Sequence, residues 1–117
     1  MIKKFAQSMQ HALRGIRFIL DEANFRIELF VGVLVVVLMW VLKVSRFEQL
    51  ILLMLIFAVL SLEILNTIVE KMVDMMSVRY DVHAKMLKDM TAGLVLCGCV
   101  AAGIIGSYIF WPYFYGS

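Results

Sequence analysis

The sequence predicts an all-α membrane protein, with an N-terminal amphipathic surface helix followed by three transmembrane helices. Three observations predict it. The 117-residue chain is 63% hydrophobic and only 17% charged, whereas soluble domains sit near half apolar and a quarter charged. The apolar excess collects in three stretches, roughly 29–44, 50–73 and 90–115, each near or above the ~20 residues that cross a hydrocarbon core. Of the eleven Lys and Arg residues, nine lie before the first stretch or between the second and third, and two between the first and second. A soluble bundle is a poor alternative, because so few polar residues cannot cover three fully apolar helices.

The elements follow in order. Over residues 3–20, Phe5, Met9, Ala12, Leu13, Ile16 and Leu20 recur at helical spacing, with Lys3, Lys4, Gln7, Gln10, Arg14 and Arg17 between them. Such a basic amphipathic helix suits the surface of an inner leaflet. Asp21 is expected to cap the turn that leads into the membrane, with Glu22 after it. Spans are expected over about 26–44, 49–73 and 89–113, with a short outer loop and an inner loop of about fifteen residues. The positive-inside rule puts the N-terminus and inner loop in the cytoplasm. Tyr108, Trp111, Tyr113 and Tyr115 then form an aromatic belt at the outer interface.

With one proline and no Gly/Ser-rich linker, residues 1–117 read as a single domain. No cleavable signal peptide is expected, since no apolar h-region follows Lys3 and Lys4. Cys97 and Cys99 lie two apart in the third stretch, on different sides of a helix, and read as small buried hydrophobes. Gly98, Ala102 and Gly106, at i, i+4, i+8, form a small-residue stripe suited to close helix contact. Three spans leave little room to enclose a site, so an oligomer with sites between subunits is expected.

The informative segment is Glu63-Ile64-Leu65-Asn66-Thr67-Ile68-Val69-Glu70, followed by Asp74. Glu63, Asn66 and Glu70 share one helix face. Two carboxylates and an amide on one intramembrane stripe are costly and point to function. Asp21, Glu22, Arg26 and Glu28 gather at the start of the first span, and Lys85, Lys88 and Asp89 close the inner loop. Carboxylates and lysines thus meet at one membrane face. Mg²⁺ prefers oxygen ligands and takes one or two carboxylates plus phosphates, which suits Glu22 and Glu70. A lysine there neutralises phosphate charge, and the deeper Glu63 is placed to take a proton from a lipid hydroxyl. Asp74, Asp81 and Lys71 read equally well as members of structural ion pairs.

Other chemistries lack their motifs. There is no phosphate-binding G-x-x-x-x-G-K-[ST] loop, no H-E-x-x-H and no G-x-S-x-G. His11 and His83 have no partners at metal-ligand spacing. No nucleic-acid partner is expected.

The run from Glu63 to Asp74, followed by Ala84-Lys85-x-x-Lys88-Asp89-Met90-x-Ala92-Gly93, resembles the signature of the prokaryotic diacylglycerol kinase and undecaprenol kinase family. The segment Glu22-Ala23-Asn24-Phe25-Arg26-Ile27-Glu28 is similar to that family's approach to its first span. The resemblance covers nearly the whole chain. It implies a homotrimer that transfers the γ-phosphate of ATP to a membrane lipid alcohol, with Mg²⁺, at a site shared between neighbours. By motif, Glu63 matches the general base and Asn66 lies beside it. Glu22 and Glu70 match the metal-nucleotide carboxylates. Lys88 and Asp89 match nucleotide contacts, as do Arg79, Tyr80 and Asp81 by position, and Arg26 and Glu28 match positions at the lipid entrance. One residue fewer than usual separates Gly15 from Glu22, which rotates the surface helix by about 100° against the motif. Nucleotide contacts there are therefore not carried over. The short N-terminus and Glu28 favour diacylglycerol as substrate, while the wording around Lys88 is nearer the undecaprenol branch. The non-enzyme alternative is a small membrane subunit or an ion-coupled transporter. Against it, no polar stripe continues through the outer halves of the spans.

Overall fold

The computed structural model describes residues 1–76 and 82–116. Its element order is α1 (Ile2–Leu20), α2 (Ala23–Val41), α3 (Arg46–Met76) and α4 (Val82–Tyr115). The protein is all-α, and α2, α3 and α4 are each long and apolar enough to cross a membrane. Their lengths differ usefully. At 1.5 Å per residue, the 19 residues of α2 span about 28 Å, close to a hydrocarbon core. The 31 residues of α3 span about 46 Å and the 34 of α4 about 51 Å. Both project past the apolar layer.

That projection corrects the expected inner loop. Most of the fifteen residues assigned to it are helical, because α3 runs to Met76 and α4 begins at Val82. Charged residues beyond the apolar layer are solvated, so polarity there gives the helix no reason to stop. Asp21 likewise departs from expectation. It sits at the C-terminal end of α1, donating its backbone N–H to the Phe18 carbonyl, while the Glu22 N–H donates to the Ile19 carbonyl and Glu22 takes the position preceding α2.

The turn between α2 and α3 is built locally. Lys43 adopts φ of 54°. Its N–H reaches the Trp40 carbonyl at 3.4 Å, and that of Val44 reaches Met39 at 3.1 Å. This is the Schellman closure of a helix, with Lys43 in the left-handed position that glycine usually takes. Val44 then packs with Met39 in one apolar cluster that includes Leu52, Ile109 and Phe110. Next, Ser45 and Glu48 start α3 as a capping box. The Glu48 N–H donates to Ser45 Oγ at 3.3 Å, and Ser45 Oγ–H donates to Glu48 Oε1 at 2.9 Å. Tyr113, near the end of α4, completes it. Its hydroxyl donates to Glu48 Oε1 at 2.6 Å and accepts the Ser45 N–H at 3.2 Å. The α2–α3 turn is thereby tied to the end of α4.

Helix α3 is the spine. It packs most extensively on α4 and next on α2, while α1 touches α2 only lightly. The envelope is 57 × 44 × 21 Å, a slab about two helices thick. Few residues are buried in it, and the apolar ones gather mainly at the turn end. The small-residue stripe of α4 divides in its use. A side chain at Gly98 would run into Leu62 Cδ1 of α3, so this glycine does permit close packing. Gly103 and Gly106 meet nothing within 4 Å. They open a cleft instead.

Gly98→Val should therefore destabilise the protein by about 1–3 kcal/mol through overpacking against Leu62. Gly103→Ala should be neutral or stabilising by up to about 1 kcal/mol, since it gains helix propensity at no steric cost. Thermal unfolding of both variants in detergent checks the contrast.

Candidate active site

The polar stripe of α3 is buried where it matters. Glu63 is 5% exposed and Asn66 is 8% exposed, the two buried polar residues among those described. Their level follows from helix rise. Glu63 lies about 25 Å along α3 from Arg46, near the far edge of a ~30 Å hydrocarbon core, and Glu70 lies about 10 Å further out. Thr67, one turn past Glu63, turns its hydroxyl back onto the Glu63 carbonyl at 3.0 Å. It therefore leaves the Glu63 carboxylate free.

Glu28 of α2 faces Glu63, with the two carboxyl groups within hydrogen-bonding reach of each other. Glu28 Oε2 is buried with no hydrogen-bond partner. Asn66 donates its Nδ2–H to Glu70 Oε1 at 3.4 Å, which leaves Asn66 Oδ1 buried and also without a donor. Two orphaned acceptors thus border one carboxylate in the protein interior. Unpaired buried acceptors are costly, and native structures hold few of them. A hydroxyl-bearing ligand is the kind of molecule that supplies the missing donor.

Glu22 and Glu70 both lie close enough to act electrostatically on Glu63. Around them the polar end is cross-linked by ion pairs. Lys71 Nζ meets Glu22 Oε1 at 3.2 Å, joining α3 to the start of α2. Lys88 Nζ meets Asp74 Oδ1 at 2.6 Å, joining α4 to α3. Lys85 meets Asp89 at 2.7 Å within α4. Lys88 also lies in the field of Glu70.

The expected site residues thus divide. Glu63, Asn66, Glu70, Glu22 and Glu28 come together, with Lys88 on their rim. Asp89 is engaged by Lys85 rather than by this group. Arg26 lies two residues from Glu28 and is exposed, so it points away from the carboxylate cluster. Arg79, Tyr80 and Asp81 lie outside the described residues. Two features were not anticipated: the apposition of Glu28 and Glu63, and the hold of Lys71 on Glu22.

A cleft leads to this group. It has a volume of about 480 Å³, and its lining includes Glu28, Val35, Leu55, Cys99, Gly103 and Phe110. Helices α2 and α4 form its walls and α3 its floor. It runs from the Glu28 carboxylate to Phe110 in the turn-end core, about 15 Å by helix rise. Apart from Glu28 its described lining is almost wholly apolar. Among the described residues, no three His, Cys, Asp or Glu side chains gather closely enough to hold a metal ion.

Residues 10–110 match the model of the prokaryotic diacylglycerol kinase family. The chain belongs to that family. Membership makes it a lipid kinase. It is 35% identical over 112 residues to the undecaprenol kinase of Bacillus subtilis, covering 95% of this chain and 91% of that one. It is 34% identical over 107 residues to a diacylglycerol kinase of Synechocystis, covering 90% of this chain and 61% of that longer protein. A diacylglycerol kinase of Sinorhizobium is 25% identical over 108 residues, covering 92% and 79% of the two chains.

Proposed function

We propose that this protein transfers the γ-phosphate of MgATP to the hydroxyl of a membrane lipid alcohol, with Glu63 as the general base. The observation that carries this reading is the buried Glu63 carboxylate beside Glu28, which lines the polar end of an apolar cleft. A lipid hydroxyl is polar only at its tip. The cleft takes the hydrocarbon, and the tip then meets Glu28, Glu63 and Asn66, where two buried acceptors lack donors. The Glu63 carboxylate accepts the hydroxyl proton as the oxygen forms its bond to the γ-phosphorus. The bond from that phosphorus to the ADP oxygen breaks in the same displacement. Asn66, by donating to Glu70, holds Glu70 on the face it shares with Glu63.

The donor set fits Mg²⁺ held partly by the nucleotide. Glu22 and Glu70 would supply hard oxygens, and nucleotide phosphates would complete the shell of an ion that ordinarily takes one or two carboxylates. When bound, Mg²⁺ supplies charge neutralisation of the transferring phosphoryl group. Lys88, now on Asp74, is placed to meet phosphate from the α4 side, and Asp89 and residues 79–81 are proposed nucleotide contacts by their motif positions. Arg26 and Glu28 are proposed for the lipid entrance, Glu28 on its place at the cleft end. The nine basic residues on the Glu63 side support a cytoplasmic site in the bacterial inner membrane, where ATP is present. The largely exposed faces of the three spans support an assembly of several copies, a homotrimer by family resemblance. We take residues 1–117 as one domain.

Diacylglycerol is the first substrate candidate, on the acidic residue at position 28 and on the relatives from Synechocystis and Sinorhizobium that bear its name. Undecaprenol is the second reading, favoured by the Bacillus relative. A side-by-side assay in mixed micelles with MgATP decides between them by the ratio of kcat/KM.

Glu63→Gln should lower kcat by about 10²–10⁴-fold while the assembly and its melting temperature stay intact. An unchanged rate removes Glu63 as the base. Gly103→Leu should project into the cleft and raise KM for the lipid about tenfold, with KM for MgATP unchanged, the equivalent of ~1.4 kcal/mol of lost apolar contact. Steady-state titration of each substrate separates the two constants.

A further inference from the structure

The Lys71–Glu22 ion pair has no evident role in holding the spans. It is the one described ion pair that joins α2 to α3, yet both side chains are substantially exposed, at 63% and 38%. Exposed pairs of this kind are weak and screened by salt. Its position is the informative part. Glu22 stands at the N-terminal boundary of α2, where a carboxylate ordinarily bonds the first free amides and meets the positive end of the helix dipole. It makes no such bond. Its carboxylate is drawn across to the Lys71 ammonium instead.

Lys71 follows Glu70 directly on α3, and Glu22 and Glu70 both act on Glu63. A cation therefore already stands among these carboxylates. We propose that Lys71 is a stand-in counter-ion for the divalent metal: it neutralises Glu22 until metal and nucleotide arrive together, then passes to the polyphosphate. This rests on the reading of Glu22 and Glu70 as metal carboxylates.

The consequence is an order of binding. Without nucleotide, a divalent ion must displace the ammonium from Glu22, and the displaced ammonium finds no new anion. With nucleotide, it exchanges a carboxylate for phosphate oxygens, and the metal takes Glu22. Metal and nucleotide then strengthen each other's binding by the same factor, as linkage requires. Lys71 acts here as a positioning residue, and the proposal concerns equilibrium binding rather than the chemical step.

The test uses the full-length protein in detergent micelles with Mn²⁺ as the probe, read by electron paramagnetic resonance with and without a non-hydrolysable ATP analogue. Lys71→Met should bind free Mn²⁺ about three- to tenfold more tightly than the wild type. The enhancement by nucleotide should shrink by a similar factor, and Lys71→Arg should restore wild-type behaviour. Glu22→Gln should weaken Mn²⁺ in both backgrounds. If Lys71 only ties two helices, Lys71→Met lowers the melting temperature and leaves Mn²⁺ affinity unchanged, which overturns the proposal. Mn²⁺ binding that is equal, weaker or absent in Lys71→Met overturns it as well. A parallel kinase assay on the wild type keeps the two levels apart. Lipid phosphorylation with equal Mn²⁺ affinities sinks only the counter-ion, whereas no phosphorylation of either lipid sinks the kinase reading beneath it.

Discussion

A carboxylate inside an apolar helix is the constraint around which the protein is arranged. Moving an ionisable side chain from water into a membrane interior costs several kcal/mol at least, and Glu63 is 5% exposed. Three features limit that cost. The residue lies near the edge of the apolar layer, about 25 Å from the opposite end of α3. It sits on the central helix, so α2 and α4 shield it from lipid. And Glu28, Asn66 and Glu70 give it polar neighbours rather than hydrocarbon. The shielding remains incomplete in chemical terms, since Glu28 Oε2 and Asn66 Oδ1 lack donors. An unmet hydrogen-bonding demand of this sort selects for a ligand that carries a hydroxyl.

The two ends of the molecule hold together by different means. At the turn end, Met39, Val44, Leu52, Ile109 and Phe110 form the apolar core, and Ser45, Glu48 and Tyr113 lock α2, α3 and α4 in register. At the other end the helices are joined by exposed ion pairs, which contribute little stability. The cleft lies between these regimes, closed by Phe110 at one limit and reaching Glu28 at the other. The turn end thus fixes the register that faces Glu28 to Glu63, while the exposed pairs at the polar end add little to it.

The stripe of Glu63, Asn66 and Glu70 was legible in the sequence because helix periodicity alone puts them on one face. The all-α architecture was legible because three apolar stretches of spanning length admit few other folds. The apposition of Glu28 and Glu63 was not, because it depends on how far α2 is rotated about its own axis relative to α3, which no spacing within one helix encodes. No polar stripe was expected through the outer halves of the spans, and at their end Ser45-x-x-Glu48 carried a capping-box signal that points to a helix start. What the sequence concealed was Tyr113, 68 residues beyond Ser45. Within the chain, the Gly98, Ala102, Gly106 stripe is used for close packing only in part, because small residues permit close approach but equally leave space, and the neighbouring helix decides which. Gly98 has Leu62 against it, and Gly106 has nothing.

The charge arrangement of the polar end follows from the same physics. Glu22, Asp74 and Asp89 are each paired with a lysine, so these three carboxylates are compensated where the polar end meets the membrane interface. On the proposed function, a divalent ion offsets only part of the polyphosphate charge, and the complex stays net negative, so lysines released from their carboxylates would meet the remainder. Exposed pairs suit such an exchange because they are weak. A buried pair in their place would resist separation, since breaking it leaves an uncompensated charge in low dielectric. The protein therefore keeps its costly burial for Glu63 and Asn66 and leaves Glu22, Asp74 and Asp89 in water, where they can change partners.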